Sequence, residues 1–205
     1  TWAVRELAHH PSIIIWCGNN EIEAFERSPE LDDRYRKRPH FYMFHYDFPQ
    51  IVHQEDLSKL YRPSSPFSPD FKECNDPIVG NQHPWTVSLG TPGPVDWWPY
   101  RQHVDRFSVE GGVLGAAALG TLRQFLPESE RYMWSPSWEH HDNPFACEDR
   151  TQGALGRSYA TVELWTGREV ATMGWEEYAF ASALLQAEGL SEYAANYRRR
   201  MFSSA

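Results

Sequence analysis

The stretch that most constrains this chain is Ser12-Ile13-Ile14-Ile15-Trp16, followed at once by Gly18-Asn19-Asn20-Glu21. The first part is β-branched and apolar without alternation. A strand of that composition needs cover on both faces, as it has in a parallel sheet. The second part sets two amides and a carboxylate at the carboxyl end of that buried strand, which is where α/β barrels carry their chemistry. Taken alone, the pattern also fits a core strand with a polar turn, or an acid at a helix N-terminus.

The 205 residues suffice for one domain with a sizeable core. No apolar run approaches the length of a membrane span, so no membrane partner is expected. The net charge of −9 argues against a nucleic-acid partner. The one basic cluster, Arg198-Arg199-Arg200, reads as the end of a helix, where it complements the dipole. Cys17, Cys74 and Cys147 have neither metal-ligand nor C-x-x-C spacing, so no disulfide framework or metal is implied. His140-His141-Asp142 offers no fourth ligand, and His9-His10 reads as structural. No cofactor is expected. The chain starts at Thr1 in mid-pattern, so both ends are expected to be cut and no compartment is assigned.

Aromatic residues make up 15% of the chain, with nine tryptophans. Trp16, Trp85, Trp97, Trp98, Trp134 and Trp138 fall in stretches that read as strand ends or loops. Aromatic faces stack on the flat apolar faces of sugar rings, so this bias points to a carbohydrate site, with core packing the alternative at each position.

Strand-like and helix-like pieces alternate along the chain, which predicts α/β architecture. Strands are expected at 12–17, 60–63 and 103–109. Helices are expected over 39–55, with Pro49 near a kink or start, and over 114–126, 154–171 and 175–200. In the last of these Trp175, Tyr178, Ala181 and Leu185 form a core stripe. The regions 66–100 and 127–153 read as long loops.

Glu110 repeats the logic of Glu21. It ends the strand-like Arg106-Phe107-Ser108-Val109 and precedes Gly111-Gly112, which permit a tight exit. The two glutamates are 89 residues apart. At about 30 residues per strand–helix unit, this puts them three strands apart, facing each other across a barrel mouth. Paired carboxylates there suit glycoside hydrolysis.

Several motifs resemble glycoside hydrolase family 2, most closely its β-mannosidase branch. His10-Pro11-Ser12-Ile13-Ile14-Ile15-Trp16-x-Gly18-Asn19-Asn20-Glu21 resembles the acid/base motif that ends the fourth barrel strand. Tyr61-Arg62-Pro63-Ser64-Ser65-Pro66 resembles the Y-x-P-S-S-P after the fifth. Gly80-Asn81-Gln82-His83-Pro84-Trp85 is similar to the G-D-x-H-Y-W near the sixth. Arg106-Phe107-Ser108-Val109-Glu110-Gly111-Gly112 resembles the nucleophile motif R-F-V-S-E-F-G of the seventh. Residues 185–199 resemble the helix before the eighth strand. Ser-Val before Glu110, Gly-Gly after it, and Leu114-Gly115 in place of Gln-Ser depart from that pattern, which bears on sugar specificity more than on reaction class.

The resemblance implies a TIM (β/α)8 barrel, incomplete here and running from about strand four to the helices before strand eight. Residues 1–205 would form part of a single glycosidase catalytic domain. It implies Glu21 as general acid/base, Glu110 as nucleophile, Asn20 as the sugar 2-hydroxyl contact, and His83, Trp85 and Trp98 along the sugar site. The expected reaction is retaining hydrolysis of a terminal β-linked sugar, β-D-mannose foremost, from an oligosaccharide or other glycoside. The remaining barrel strands and accessory β domains would lie outside these residues, so activity is expected of the completed barrel, since a partial one exposes strand edges. Alternatives are another family 2 β-glycosidase (glucosaminidase, galactosidase or glucuronidase) or a non-catalytic carbohydrate-binding relative.

Overall fold

A computed structural model describes residues 1–26, 32–69, 73–87, 96–142 and 157–201. The chain divides into two compact units. One comprises 1–83, 104–110 and 203–205; the other comprises 84–103 and 111–202.

In the first unit, helix α1 (Trp2–Leu7) is followed by strand β1 (Ile15–Cys17), shorter than the 12–17 expected. Helices α2 (Ile22–Glu26) and α3 (Asp32–Tyr35) follow. The helix expected over 39–55 is present as one unbroken run of three parts. These are α4 (Pro39–Tyr42), a π-helical turn (Met43–Asp47) and α5 (Phe48–Glu55). Pro49 has no N–H to donate to residue 45, and the wider π turn falls where the ladder is interrupted. Phe41 stacks on His45 at 4.2 Å along this run. Arg5 clamps Glu55 through two hydrogen bonds of 2.5 and 2.7 Å, joining α1 to α5.

Strand β2 (Leu60–Arg62) pairs in parallel with β1, Trp16 opposite Tyr61. Past the strands the pairing continues as a parallel bridge between Asn20 and Ser65. A second parallel bridge joins Gln82 to Ser108, and an antiparallel one joins Phe67 to Asn81. The strand expected over 103–109 is thus present among the described residues only as the bridge at Ser108. Gln82 explains why this segment stays in place. Its side-chain oxygen accepts from the Phe107 N–H at 2.9 Å, and its amide donates to Asp76 and Val79 carbonyls at 2.7 Å.

Buried Asp56, beyond α5, accepts from the Trp16 indole at 2.9 Å and from Lys59 at 3.0 Å. With the Ser58 hydroxyl these donors hold its carboxyl well below the usual range. Lys59 also donates to the Ala8 carbonyl, tying the start of β2 to the end of α1.

The second unit is helical. Helix α6 (Leu119–Phe125) starts later than the 114–126 expected. Residues 113–116 are instead held to the long helix: the Val113 carbonyl accepts from Gln186, and the Ala116 N–H donates to the Ser182 hydroxyl. Helices α7 (Pro136–His141), α8 (Arg157–Thr166) and α9 (Trp175–Arg199) complete it. Along α9, Tyr178 is buried and Trp175, Ala181 and Leu185 pack on the same core as Leu122, Leu126, Trp138, Tyr159 and Val162, so the stripe is core as expected. Arg199 bonds Glu192 at 2.6 Å, and Arg200 donates to the Arg101 carbonyl, so the basic cluster acts as a helix terminus. Among the described residues no helix is long and apolar enough to cross a membrane. Cys17 and Cys74 are free thiols, and Cys147 lies outside the described residues.

Candidate active site

All the groups of this site belong to the first unit. Gly18 closes β1 by donating to the Arg62 carbonyl at 2.9 Å, which keeps the chain beside β2 as it leaves the sheet. Asn19 then organises the turn. Its amide donates to the Pro63 carbonyl at 2.8 Å, and its side-chain oxygen accepts from the Ser64 hydroxyl at 2.7 Å and from the Ile22 N–H at 3.2 Å. Asn20 is exposed, and its side chain makes no hydrogen bond with the described residues. Glu21 adopts a left-handed conformation, φ 61°. This is a costly conformation for a non-glycine residue. It is held by a 2.7 Å bond from the Glu21 N–H to the Ser65 carbonyl, while the Ser65 N–H donates to the Asn19 carbonyl at 3.0 Å.

His83 lies between the two glutamates. Its Nδ1 is 3.0 Å from Glu21 Oε1 and 3.1 Å from Glu110 Oε2. Its Nε2 is 2.7 Å from the Ser65 hydroxyl. Asn75 pins the His83 backbone from both sides, donating to the carbonyl at 3.0 Å and accepting from the N–H at 2.7 Å. The His83 side chain is 3% exposed, whereas those of Glu21 and Glu110 are 28% and 36% exposed. Two carboxylates thus face solvent over a buried imidazole. One ligand atom from each of the three residues falls within 4.8 Å of the others, a group that could hold a cation. The imidazole–carboxylate distances are those of ordinary hydrogen bonds.

The structure therefore brings Glu21, Glu110 and His83 together and places Asn20 beside them in sequence with a free amide. His83 is buried, with its Nδ1 close to both carboxylates. Trp85 and Trp98 belong to the second unit. Trp85 is half-buried in a 3-10 turn, and Trp98 is 45% exposed with the Arg101 guanidinium 4.4 Å over its ring. The other loop tryptophans have structural places. Trp97 is buried and stacks on Trp165 at 3.9 Å, Trp138 is buried and donates to the Tyr159 hydroxyl, and Trp16 is bonded to Asp56. His141 packs on Phe125, and Asp142 accepts from the Tyr159 hydroxyl. Burial and that carboxylate push the Tyr159 phenol above its ordinary value.

Sequence reasoning passed over Asn19, Ser65 and Asn75. The available signal was the Ser64-Ser65 pair itself, quoted for its motif without being given a role. Beside them, Tyr61 donates to the Phe44 carbonyl at 2.7 Å, and burial raises its phenol well above the ordinary value, so it stays a neutral donor.

No protein-family model matches the chain. Over 208 aligned residues it is 27% identical to Beta-mannosidase B of Neosartorya fischeri, covering 96% of this chain and 23% of that protein. Beta-mannosidase B of Aspergillus fumigatus matches with the same identity and coverage. The crystal structure of Beta-D-Mannosidase from Dictyoglomus thermophilum superposes with a TM-score of 0.73 at 25% identity, covering 98% of this chain and 23% of that one. The chain thus spans about a quarter of the length of these relatives, and the short parallel pairings described above are a fragment of that protein's fold. Matched by sequence and by structure along nearly its whole length, the chain is similar to about a quarter of these β-mannosidases.

Proposed function

We propose that the chain supplies the catalytic middle of a retaining β-glycosidase acting on terminal β-D-mannosides, with Glu110 as nucleophile and Glu21 as general acid/base. The observation that carries this reading is the convergence of two glutamates, 89 residues apart in the chain, on one buried imidazole with oxygens within 4.8 Å. Retaining enzymes hold their carboxyl groups about 5–5.5 Å apart, and inverting ones leave about 6.5–9.5 Å for a water. The closeness of the pair also favours catalysis over a binding-only role. β-Mannoside as substrate is supported by the names of the relatives.

In this reading β1 and β2 are the fourth and fifth strands of a (β/α)8 barrel, and the segments around Gln82 and Ser108 the sixth and seventh. The parallel pairings 15–17 with 60–62 and 82 with 108 support that order. Glu110 attacks the anomeric carbon while Glu21 passes its proton to the leaving oxygen. Glu21 then takes a proton from water as the water displaces Glu110. Asn20, whose side chain makes no hydrogen bond among the described residues, bonds the 2-hydroxyl.

The test is kinetic and stereochemical. In the protein that carries the completed barrel, proton NMR of the first product from a nitrophenyl β-mannoside should show retained configuration. Glu110→Ala should abolish turnover. Glu21→Ala should slow poor leaving groups far more than nitrophenol and be rescued by azide as a β-glycosyl azide. An inverted product, or equal loss on all substrates without an azide effect, refutes the assignment.

A further inference from the structure

Two acceptors share one donor at this site. Glu21 Oε1 and Glu110 Oε2 both approach the same nitrogen of His83, at 3.0 and 3.1 Å, while the opposite nitrogen faces the Ser65 hydroxyl at 2.7 Å. An ionised carboxylate only accepts, so Nδ1 must carry a hydrogen to make its contact with whichever glutamate is charged favourable. A neutral imidazole with its hydrogen on Nδ1 has a lone pair on Nε2, and the Ser65 hydroxyl is the donor that lone pair requires. The opposite tautomer would turn a lone pair towards both carboxylates and leave His83 repelling whichever is charged. Ser65 is 9% exposed and is held in place by its backbone bonds to Asn19 and Glu21. The residue that orients the imidazole is thereby also the residue that holds the backbone of Glu21.

We propose that Ser65 is a positioning residue that locks the hydrogen of His83 on Nδ1, and that this single N–H follows the negative charge as it moves between Glu110 and Glu21 during the reaction. The proposal rests on the double-displacement reading given above. Before the first step Glu110 is the anion and receives the N–H. When the Glu110–sugar bond forms and the glycosidic C–O bond breaks, the proton of Glu21 leaves with the aglycone. Glu21 is then the anion, and the N–H turns to it. In the second step water gives its proton to Glu21 and its oxygen to the anomeric carbon, and Glu110 departs as a carboxylate that takes the N–H back. His83 gives up no proton in either step. A hydrogen bond from His83 to a charged group is kept throughout.

Long-range proton–nitrogen NMR of the ¹⁵N-histidine protein reads the tautomer directly. The expected spectrum shows a protonated Nδ1 and an unprotonated Nε2 for His83. In Ser65→Ala the two forms should mix or reverse, and in Ser65→Thr the parent pattern should return. Ser65→Ala should lower kcat by about 10- to 100-fold, with KM little changed, on both poor and activated substrates, because both charged states lose the same donor. Ser65→Thr should recover most of it. A parent His83 protonated on Nε2, or on both nitrogens, overturns the proposal. So does a Ser65→Ala protein with unchanged spectrum and kcat. If the protein carrying the completed barrel turns over no β-glycoside, the functional reading and the charge-following step fail together, whereas failure of the Ser65 lock alone is read in the spectrum without turnover.

Discussion

Gly18 occupies the narrowest passage at the end of β1, and adding one methyl group there tests how tightly the sheet end is built. An alanine Cβ at this position would lie 2.4 Å from the Tyr61 hydroxyl, 2.5 Å from the Pro63 carbonyl oxygen and 3.0 Å from a Phe44 ring carbon. Two of these neighbours cannot give way cheaply. The Pro63 carbonyl accepts from Asn19, and the half-buried Tyr61 hydroxyl donates to the Phe44 carbonyl. Overpacking of this kind costs about 1–3 kcal/mol. Displacing the Tyr61 hydroxyl adds about 1 kcal/mol for a lost hydrogen bond. Against this, replacing glycine removes freedom from the unfolded chain and returns about 0.4–1 kcal/mol. The net expectation for Gly18→Ala is a loss of about 1–3 kcal/mol, read as a lowered urea midpoint at unchanged slope. Tyr61→Phe removes the nearest clashing atom, so the double variant should lose less than the sum of the two singles, by about 0.5–1.5 kcal/mol. It should remain below the parent because the Pro63 oxygen stays. A loss under about 0.5 kcal/mol for Gly18→Ala, or strict additivity with Tyr61→Phe, refutes the reasoning.

Two further predictions concern the second unit. Glu192 is pulled down to about 2 by hydrogen bonds from Arg101 and Arg199. Its folded value is depressed, so the stability it contributes is present above its unfolded value near 4.3 and is lost as pH falls towards about 2. Acid titration of Glu192→Gln should therefore show a shallower decline across that window than the parent. An identical pH profile for the two proteins counts against the pairing. Ser135 caps α7, accepting from the Trp138 N–H at 3.2 Å and donating to the Glu130 carbonyl at 2.6 Å. Ser135→Ala should cost about 1–2 kcal/mol in denaturant, followed by tryptophan fluorescence. A neutral effect would mean that the cap bond is replaced by water without loss.

What could be read from the sequence differs from what could not by the range of the interactions involved. The β-branched run before Gly18 and the apolar spacing along 175–200 encode β1 and α9, because burial on two faces or on one stripe is written in consecutive residues. The start of α6 was misplaced for the opposite reason. Residues 114–118 have a helical pattern of apolar side chains, but the Ala116 N–H is taken by the Ser182 hydroxyl and the preceding Val113 carbonyl by Gln186, more than 60 residues away. The two glutamates were legible because each ends its own strand-like segment. His83 was named with them, but its orientation was not legible, since no local rule sets the orientation of a histidine by a serine 18 residues before it. That serine lies three residues past a parallel pairing of three residues, and its place depends on the register of Trp16 with Tyr61. Slipping that pairing by one residue would turn Ser65 away from His83 and move the bond that holds Glu21 at φ 61°. The geometry of this site thus depends on strand register, which Gly18 and Asn19 hold through their bonds to the Arg62 and Pro63 carbonyls.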